Sequence, residues 1–423
     1  MSKKPVIYWF RNDLRLHDNP ALLHAIKSQL PVIPVFIFDD LWYKDPCELN
    51  FPRTGLHRKT FMAESLADLN MSVERAGNHL LVFSGNPVNI LSRLFRFFDA
   101  EKIIAQKEYA FEEIRMEEEL KAKTNLELVW GSILYQPDQV SFPPEKTPFY
   151  FTRFKNKVLQ EPFMPEPVKT IRQIKNGWSG DIPKQLLPFD YTEWAGAKTH
   201  SVFRGGETAG LKRMKEYFEA GGPFHYNNTR NKFEGPDFSS QVSPWLANGA
   251  LSPRSVFVEL QRMEKQFPDK EEPVRTLSDQ LIWRDYFRYL FLRYGKKLFT
   301  TKGLRKTEPD MYNDIDGFEQ WRKGETGEPL IDALMHEIAE TGYMSNRGRM
   351  LVSFYLSKEM KINWQWGAAW FESTLIDYDV CSNYGNWAYQ SGRGTDGRVN
   401  RRFNLATQAK KFDPDGSFVK KWL

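Results

Sequence analysis

The stretch Asn363–Tyr389, NWQWGAAWFESTLIDYDVCSNYGNWAY, combines aromatic and polar side chains that could do redox chemistry. It contains four tryptophans, two closely spaced acids and an amide: Trp364, Trp366, Trp370, Trp387, Asp377, Asp379 and Asn383. Indole rings are large, favour contact surfaces and are easily oxidised by an excited electron acceptor. Carboxylates and an amide beside them favour a polar, redox-active ligand held among aromatic rings. A tightly packed helical core explains the same spacing, so both interpretations stay open.

The segment Ser239–Arg254, SSQVSPWLANGALSPR, places three hydroxyl side chains just before the predicted start of a helix. They belong to Ser239, Ser240 and Ser243. A helix N-terminus carries unpaired N–H groups and the positive end of the helix dipole, so hydroxyls there favour a phosphate-binding turn. Ordinary helix capping by serine is the alternative.

Two further segments put arginine close to apolar helix faces. In Ser278–Gly295, Arg284 and Arg288 lie one turn apart on a very aromatic helix. In GYMSNRGRMLVSFYL, Arg349 could pair with Asp377, because a charge near a core usually has a partner. Solvated arginines on a helix surface are the alternative in both segments.

The segment Ser391–Asn404 is basic and rich in glycine. Four arginines stand there against one acid: Arg393, Arg398, Arg401, Arg402 and Asp396. Basic groups beside aromatic side chains suit a nucleic-acid backbone, although a solvated loop is the alternative. Together, the four segments predict one helical domain in which a flavin nucleotide lies in an aromatic pocket that opens onto nucleic acid.

The first third of the chain alternates short apolar runs with amphipathic segments. The predicted strands are Val6–Phe10, Val32–Phe38, Leu80–Phe83, Lys102–Ala105 and Leu126–Trp130, and the helices between them are Pro20–Ser28, Leu56–Asn70, Pro87–Phe98 and Ala110–Lys123. This alternation favours an α/β domain with a doubly wound parallel sheet. Neither a dinucleotide fingerprint nor a P-loop follows the first strand.

A proline-rich connector and a helical region follow. Helical periodicity predicts helices over Gly205–Ala220, Pro253–Gln266, Val274–Tyr294, Pro329–Thr341, Gly348–Met360 and Trp366–Leu375. The sequence therefore predicts an α/β domain over residues 1–135, a connector over 136–204 and an all-α domain over 205–423.

Composition is that of a soluble globular protein, with 41% hydrophobic and 27% charged residues among 423. The two cysteines, Cys47 and Cys381, allow no disulfide framework and have no zinc-ligand spacing. We expect a cytoplasmic monomer without a metal, a signal peptide or a membrane span.

Seven co-linear motifs resemble the photolyase/cryptochrome family, most closely its DASH branch. They are YWFRNDLRLHDNPAL, FPRTGLHRKTF, FRGGETAGLKRMKEYF, FSSQVSPWLANGALSPR, LIWRDYFRYL, NRGRML and LIDYDVCSNYGNW. The resemblance implies an N-terminal α/β domain and an FAD buried in a helical C-terminal domain.

The resemblance also implies which residues hold FAD. The phosphates would be held by Tyr226, Ser239, Ser240, Gln241, Val242 and Ser243. The cavity would be lined by Gln280, Trp283 and Arg284, and the two ring systems surrounded by Asn346, Arg349, Asp377, Asp379 and Asn383. Asn383 would stand beside flavin N5, where an amide can donate or accept a hydrogen bond.

Trp387 and Trp364 match the inner two members of the family's electron-transfer chain. The position of the outer member is Met311, which departs from the family pattern. The outer role is therefore left open among three aromatic residues: Tyr312, Trp366 and Trp370.

The family's lesion pocket matches Gln280, Trp283, Met350 and Tyr389. A glutamine and a tyrosine replace a glutamate and a second tryptophan of dimer-repairing relatives. Weaker lesion contacts, as in the DASH branch, favour single-stranded or looped-out DNA, because extracting a dimer from a duplex costs a few kcal/mol. Three arginines match DNA-backbone contacts: Arg230, Arg347 and Arg401.

The predicted function is blue-light-driven, FAD-dependent repair of cyclobutane pyrimidine dimers by a photolyase. The alternative is a DASH-type photoreceptor that binds nucleic acid and repairs little; the lack of a segment after Leu423 argues against a long signalling arm. A folate antenna near Gln106 and Glu108 is a further expectation, with plain strand-end residues as its alternative.

Overall fold

The structure, a computed structural model, describes residues 3–44, 46–177, 180–235, 237–397 and 402–423. Five strands form its sheet: β1 (Val6–Phe10), β2 (Val32–Asp39), β3 (Leu81–Gly85), β4 (Lys102–Gln106) and β5 (Leu126–Val129). The strand order is β3-β2-β1-β4-β5, and every neighbouring pair is parallel. Every residue of β1 and β2 is buried, because helices cover both faces of the sheet.

Successive side chains of β1 point to opposite faces of the sheet. Val6, Tyr8 and Phe10 pack in one apolar cluster, whereas Ile7 and Trp9 pack in the other. The covering helices are α1 (Pro20–Lys27), α2 (Asp40–Tyr43), α3 (Leu56–Arg75), α4 (Pro87–Phe97) and α5 (Phe111–Lys121). The predicted doubly wound parallel sheet is confirmed, and each predicted strand agrees with an observed one to within two residues.

The segment that follows β5 first contacts the helical region and then returns to the sheet. It contains a 3-10 turn at Pro144–Lys146 and two helices, α6 (Phe151–Val158) and α7 (Thr192–Ala195). The backbone N–H of Ile171 donates to the carbonyl of Leu16 at 3.1 Å, and that of Phe189 donates to Val82 at 2.8 Å. The boundaries at residues 136 and 205 stay predictions.

The rest of the described chain is helical, as predicted. Its helices are α8 (Glu207–Glu219), α9 (Gly222–Thr229), α10 (Ser243–Ala247), α11 (Pro253–Gln266), α12 (Glu271–Tyr294), α13 (Ile315–Lys323), α14 (Pro329–Thr341), α15 (Asn346–Phe354), α16 (Trp364–Thr374), α17 (Val380–Gln390), α18 (Leu405–Phe412) and α19 (Ser417–Trp422). Short 3-10 turns flank α12 at Pro268–Lys270 and Gly295–Phe299.

In the described helical region, five observed helices were not predicted, α9, α13, α17, α18 and α19, and one predicted helix changes type along its length. The helix predicted over Gly348–Met360 is present but changes type, because α15 ends at Phe354 and a π-helical turn continues it over Tyr355–Glu359. Within that turn the hydroxyl of Ser357 donates to the carbonyl of Ser353 at 2.7 Å, a side-chain bond that competes with regular helix bonds. Helix α17 was not predicted, since its serine, asparagines and glycine are weak helix formers.

Buried polar contacts join the loop after β1 to the helical region. Arg254 in α11 donates to Asp18 at 2.9 Å, and their side chains are 5% and 1% exposed. The carboxylate of Glu207, at the start of α8, accepts from the backbone N–H groups of Leu16 and His17 at 2.8 and 2.9 Å. The sheet and the helices are thereby connected through groups that are shielded from water.

Candidate active site

A cavity of about 440 Å³ lies among the helices of the C-terminal region. It is lined by residues of α9, α10, α12, α15 and α17 and by the loop before α10. The structure brings to this cavity the following predicted residues: Tyr226, Arg230, Ser239, Ser240, Gln241, Val242, Ser243, Gln280, Trp283, Arg284, Asn346, Arg349, Met350, Asp377, Asp379 and Tyr389. Positions 163 residues apart in the sequence therefore share one site.

The loop before α10 is held in shape by Arg213, whose guanidinium donates to the carbonyls of Ser240 and Ser239 at 3.0 and 3.3 Å. Gln241 has a φ of 54°, a left-handed conformation that turns the chain sharply. The loop presents hydroxyls and backbone groups to the cavity. Ser243 also donates to Asp377 at 2.7 Å, so its hydroxyl is already oriented by the protein.

The predicted ion pair between Arg349 and Asp377 is present at the cavity wall. The Nη2 atom of Arg349 donates to both carboxylate oxygens, at 3.0 and 2.8 Å. Burial alone lowers the pKa of the Arg349 guanidinium, but the Asp377 carboxylate outweighs burial and raises that pKa above its usual value. The cavity therefore has a fixed positive charge with its counter-ion in place.

Asp379 caps α17 and pairs with a buried arginine of α12. Its carboxylate accepts from the backbone N–H of Ser382 at 2.7 Å and from the Arg288 guanidinium. Burial raises the pKa of Asp379, but the charges of Arg288 and Arg284 outweigh it and hold that pKa below its usual value. Arg288 is 3% exposed, so the alternative of a solvated arginine is wrong at this position.

Arg284 lies beside Asp379 and donates to two backbone carbonyls, those of Ser132 and Leu246. Burial, followed by repulsion from Arg288, lowers the pKa of Arg284 to about 10. Its side chain is thus held at the cavity by the loop after β5 and by α10 together.

Asn383 lies on a smaller adjoining cavity of about 80 Å³. Its Nδ2 atom donates to the carbonyl of Ala368 at 2.9 Å, and the residue is 8% exposed. This bond orients the amide, whose oxygen has no donor among the described residues. This oxygen faces the cavity and can accept a hydrogen bond, so a ligand N–H there would suit it.

Trp387 forms one wall of this smaller cavity. Its six-membered ring packs on Gly367 of α16, where a Cβ atom would lie 2.2 Å from the indole. Trp364 is three residues earlier on α16 and is fully buried, with its Nε1 donating to the carbonyl of Thr301 at 3.0 Å. Residues three apart share a helix face, so Trp364 lies on the same side of α16 as Gly367, on which Trp387 packs.

The three candidates for the outer role differ in their surroundings. Tyr312 is 60% exposed, and its backbone bonds to Lys361 and Asn363, next to Trp364. Trp366 contacts the ring of Phe318, with centroids 5.5 Å apart. The guanidinium of Arg322 lies over the Trp370 ring at 4.7 Å, which disfavours a positive charge on that indole.

Aromatic rings surround the predicted lesion pocket. Trp283 contacts Tyr389 edge to face, with centroids 5.7 Å apart. The ring of Phe151, in α6, stacks face to face on the indole of Trp283, with centroids 3.8 Å apart and planes inclined by 11°. Gln280 donates to the carbonyl of Thr276 at 3.1 Å, so its amide is oriented by its own helix. The stacking by Phe151 was missed, because FYFTRF lies within the segment interpreted as a connector.

The arginines predicted to contact DNA are only partly described. Arg230 lies over the ring of Tyr226 at 5.1 Å, at the cavity. Arg347 donates to Asn231 at 2.6 Å, and Arg401 lies outside the described residues, as does Arg398. The neighbouring arginines of the predicted basic loop are engaged, with Arg402 paired to Glu359 at 3.1 Å and Arg393, 6% exposed, bonded to the carbonyl of Thr307.

Of the two residues predicted to contact an antenna, Glu108 lines a second cavity of about 110 Å³ between the sheet and the helices, whereas Gln106 does not line it. The Nε2 atom of Gln106 donates to the carbonyl of Asn12 at 3.1 Å and to Glu108 at 3.2 Å. Burial raises the pKa of Glu108 although Arg11 opposes it. Aromatic rings line the same cavity, and they belong to Trp42, Tyr43, Tyr109 and Tyr378.

Comparison with known proteins shows which family the chain resembles. Residues 276–423 match the model of the FAD binding domain of DNA photolyase, and residues 6–172 match the DNA photolyase model. The chain belongs to the photolyase/cryptochrome family. A cryptochrome DASH of Synechocystis sp. is 39% identical over 99% of this chain and 87% of the relative. One of Arabidopsis thaliana, designated chloroplastic/mitochondrial, is 39% identical over all of this chain and 76% of the relative.

A crystal structure of a Synechocystis cryptochrome has the same fold, with a TM-score of 0.93 and 38% identity over all of this chain and 89% of that chain. The predicted family, its DASH resemblance, the fold class and FAD as cofactor are thus confirmed. The cavity suits FAD, since it offers hydroxyls and an arginine–aspartate pair, and the smaller cavity beside it offers the amide oxygen of Asn383. No helix in the described ranges has the length and apolar character of a membrane span.

Proposed function

We propose that this flavoprotein is a blue-light-driven lyase that splits cyclobutane pyrimidine dimers, preferentially in single-stranded or looped-out DNA. One observation carries the proposal. The four side chains predicted to contact the lesion line the same cavity as those predicted to hold FAD: Gln280, Trp283, Met350 and Tyr389. A pyrimidine pair that entered this cavity would therefore contact the cofactor directly.

Bound FAD would supply the photoexcited electron donor for dimer splitting. Trp283 and Tyr389 would contact the pyrimidine rings, and their edge-to-face arrangement leaves a right-angled aromatic corner for the lesion. Gln280 would offer neutral hydrogen bonds to the pyrimidine edges. The protein thus contributes orientation and exclusion of water, and no protein nucleophile is needed.

Trp387 and Trp364 would carry electrons inward to restore a reduced cofactor. Trp387 lines the smaller cavity, where Asn383 would contact the flavin ring. Trp364 begins α16, and the backbone of the preceding residue, Asn363, bonds to that of Tyr312. Indole is the side chain that an excited flavin oxidises most readily, which supports this direction of transfer.

Preference for single strands is supported by the neutral character of the lesion pocket. Gln280 has no charge with which to compensate the cost of unstacking a dimer from a duplex, about a few kcal/mol. Arg230, Arg347 and Arg401 would contact the DNA backbone, so binding would weaken as salt is added.

The test is repair of a single-stranded oligonucleotide that contains one thymine dimer, by purified protein with fully reduced FAD under blue light. We expect loss of the dimer by chromatography, with less repair of the same lesion in a duplex. Trp283→Ala should reduce repair, whereas Leu187→Ala, an exposed residue remote from the cavity, should not. Binding of the oligonucleotide without any repair would refute the lyase proposal and favour the photoreceptor alternative. Gln280 and Met311, which depart from the pattern of repair enzymes, would be consistent with that result.

We further propose a folate antenna in the second cavity, with Glu108 as its polar contact and Gln106 holding Glu108 in place through a hydrogen bond. The aromatic rings that line this cavity support a flat heterocycle there. Reconstitution with methenyltetrahydrofolate should add an absorption band, and Glu108→Gln should weaken its retention.

We propose the domain limits 1–135, 136–204 and 205–423 for the family fold. We also propose a monomer in the cytoplasm. Cys47 and Cys381 are both free thiols, which supports a reducing compartment. Size-exclusion chromatography and fractionation would test these two statements.

A further inference from the structure

Tyr384 of α17 contacts the ring of Trp364 on one side and a buried carboxylate at its hydroxyl. Its ring centroid lies 6.4 Å from that of Trp364, with the planes at 74°. Its hydroxyl donates to Oε2 of Glu372 at 3.2 Å. Glu372, in α16, is 3% exposed. A phenol next to an indole, with a base at its oxygen, can lose an electron and a proton together.

The surroundings of Glu372 leave one of its oxygens for the tyrosine. Arg53 donates to Oε1 of Glu372 at 3.0 Å, while Tyr384 uses Oε2. Arg53 also donates to Glu112 at 3.1 Å. Because Arg53 keeps Glu112 as a counter-ion, a proton that neutralised Glu372 would not leave the arginine without a partner.

The phenol is neutral before any oxidation. Burial, reinforced by the charge of Glu372, raises the pKa of Tyr384 well above its ordinary value. A neutral phenol becomes strongly acidic when it loses an electron, so its oxidation needs a proton acceptor within hydrogen-bonding distance. Glu372 is at that distance.

The other aromatic side chains near the tryptophan pair have poorer acceptors. Trp321, which contacts Trp387 at 6.1 Å, donates to the carbonyl of Val352, a very weak base. The Nε1 atom of Trp370 has no acceptor among the described residues. Tyr312 has a hydroxyl 3.4 Å from Asp310, a longer bond in an exposed position.

We infer that Tyr384 is a redox-active residue that reduces oxidised Trp364 while its hydroxyl proton passes to Glu372. The Trp364 radical cation gains one electron and returns to neutral indole. Tyr384 loses that electron and one proton and becomes a neutral tyrosyl radical, and the carboxylate of Glu372 becomes a carboxylic acid. The oxidising equivalent is supplied by photoexcited oxidised FAD through Trp387 and Trp364, so the inference rests on the electron path proposed above.

The test is flash excitation of the purified protein with oxidised FAD, followed by transient absorption and electron paramagnetic resonance. We expect a tryptophan radical followed by a tyrosyl radical, with slower tyrosyl formation in D2O than in H2O. Protein that contains ring-deuterated tyrosine should show a narrowed radical signal without any substitution. Tyr384→Phe should lose the tyrosyl signal, whereas Tyr312→Phe should keep it.

Glu372→Gln separates a proton acceptor from a merely structural contact. It retains a side chain that can accept the hydroxyl hydrogen bond but is far less basic, so the tyrosyl signal should be lost while the tryptophan radical remains. A tryptophan radical without a tyrosyl radical in the unaltered protein, or a tyrosyl signal that survives in Tyr384→Phe, would overturn the inference alone. Absence of both radicals would overturn the proposed electron path as well.

Discussion

Replacing Glu337 with glutamine should change how the stability of the protein depends on pH. Glu337 lies in α14, is 7% exposed, and its Oε2 atom has no hydrogen-bond partner among the described residues. Burial raises the pKa of its carboxyl from 4.5 to about 8; Glu234 adds to this rise, and Lys421 and Arg349 oppose it. The folded protein therefore holds a proton here at neutral pH.

The sign of the effect follows from proton binding. Between the unfolded pKa of 4.5 and the folded pKa of about 8, the folded state binds one proton more than the unfolded state at Glu337. The free energy of unfolding therefore falls as pH rises, by about 1.4 kcal/mol per pH unit from this group. Between about pH 5.5 and pH 7.5 the loss amounts to about 2–3 kcal/mol.

Glu337→Gln should remove this contribution, whatever its effect on stability at one pH. Urea unfolding of both proteins at a series of pH values measures the difference. We expect the unfolding free energy of the variant, relative to the unaltered protein, to rise by about 2–3 kcal/mol over that interval. Glu118→Gln, at an exposed glutamate of α5, is the control. A difference that stayed constant with pH would refute a protonated Glu337.

Three further changes have defined outcomes. Asp377→Asn leaves Arg349 without its carboxylate, so unfolding measurements should show a loss of about 3 kcal/mol, and FAD content should fall; unchanged FAD content would contradict the role of the ion pair. Gly367→Ala places a Cβ 2.2 Å from Trp387, so it should lower the free energy of unfolding by about 1–3 kcal/mol and slow flavin photoreduction. Unchanged stability and photoreduction would show that the indole ring can move aside. Phe151→Leu removes the ring stacked on the pocket tryptophan and should weaken binding of dimer-containing DNA more than it weakens FAD retention; equal losses would indicate general destabilisation.

The sheet could be predicted from the sequence because its strands β1 and β2 are buried throughout and are almost entirely apolar. Helix α17 could not, since serine, asparagine and glycine favour helix weakly and the helix is held by its contacts instead. Asp379 caps its first turn, and Gly385 faces Phe287 where a Cβ atom would lie 2.3 Å from that ring. The helical conformation of α17 therefore depends on tertiary packing and not on the helix preference of its residues.

The candidate site shows the same limit. The pair Arg349 and Asp377 could be predicted, because a basic residue at the edge of an apolar helix needs a partner. The pairing of Arg288 with Asp379 could not, since a spacing of one helical turn looks the same on a solvated face and in a core. The stacking of Phe151 depends on a contact across 132 positions of the chain, for which the sequence contains no local signal.

The buried pair of Asp18 and Arg254 has a consequence for how the molecule can be divided. If the helical region were produced alone, Arg254 would lose its carboxylate, and Glu207 would lose the two backbone donors of Leu16 and His17. Hydrogen bonds to charged groups contribute roughly 1.5–3 kcal/mol each, so separating the two regions would cost the sum of several such bonds. The two regions should therefore unfold in one cooperative transition, and truncated or domain-exchanged forms would need both sides of this contact to be kept together.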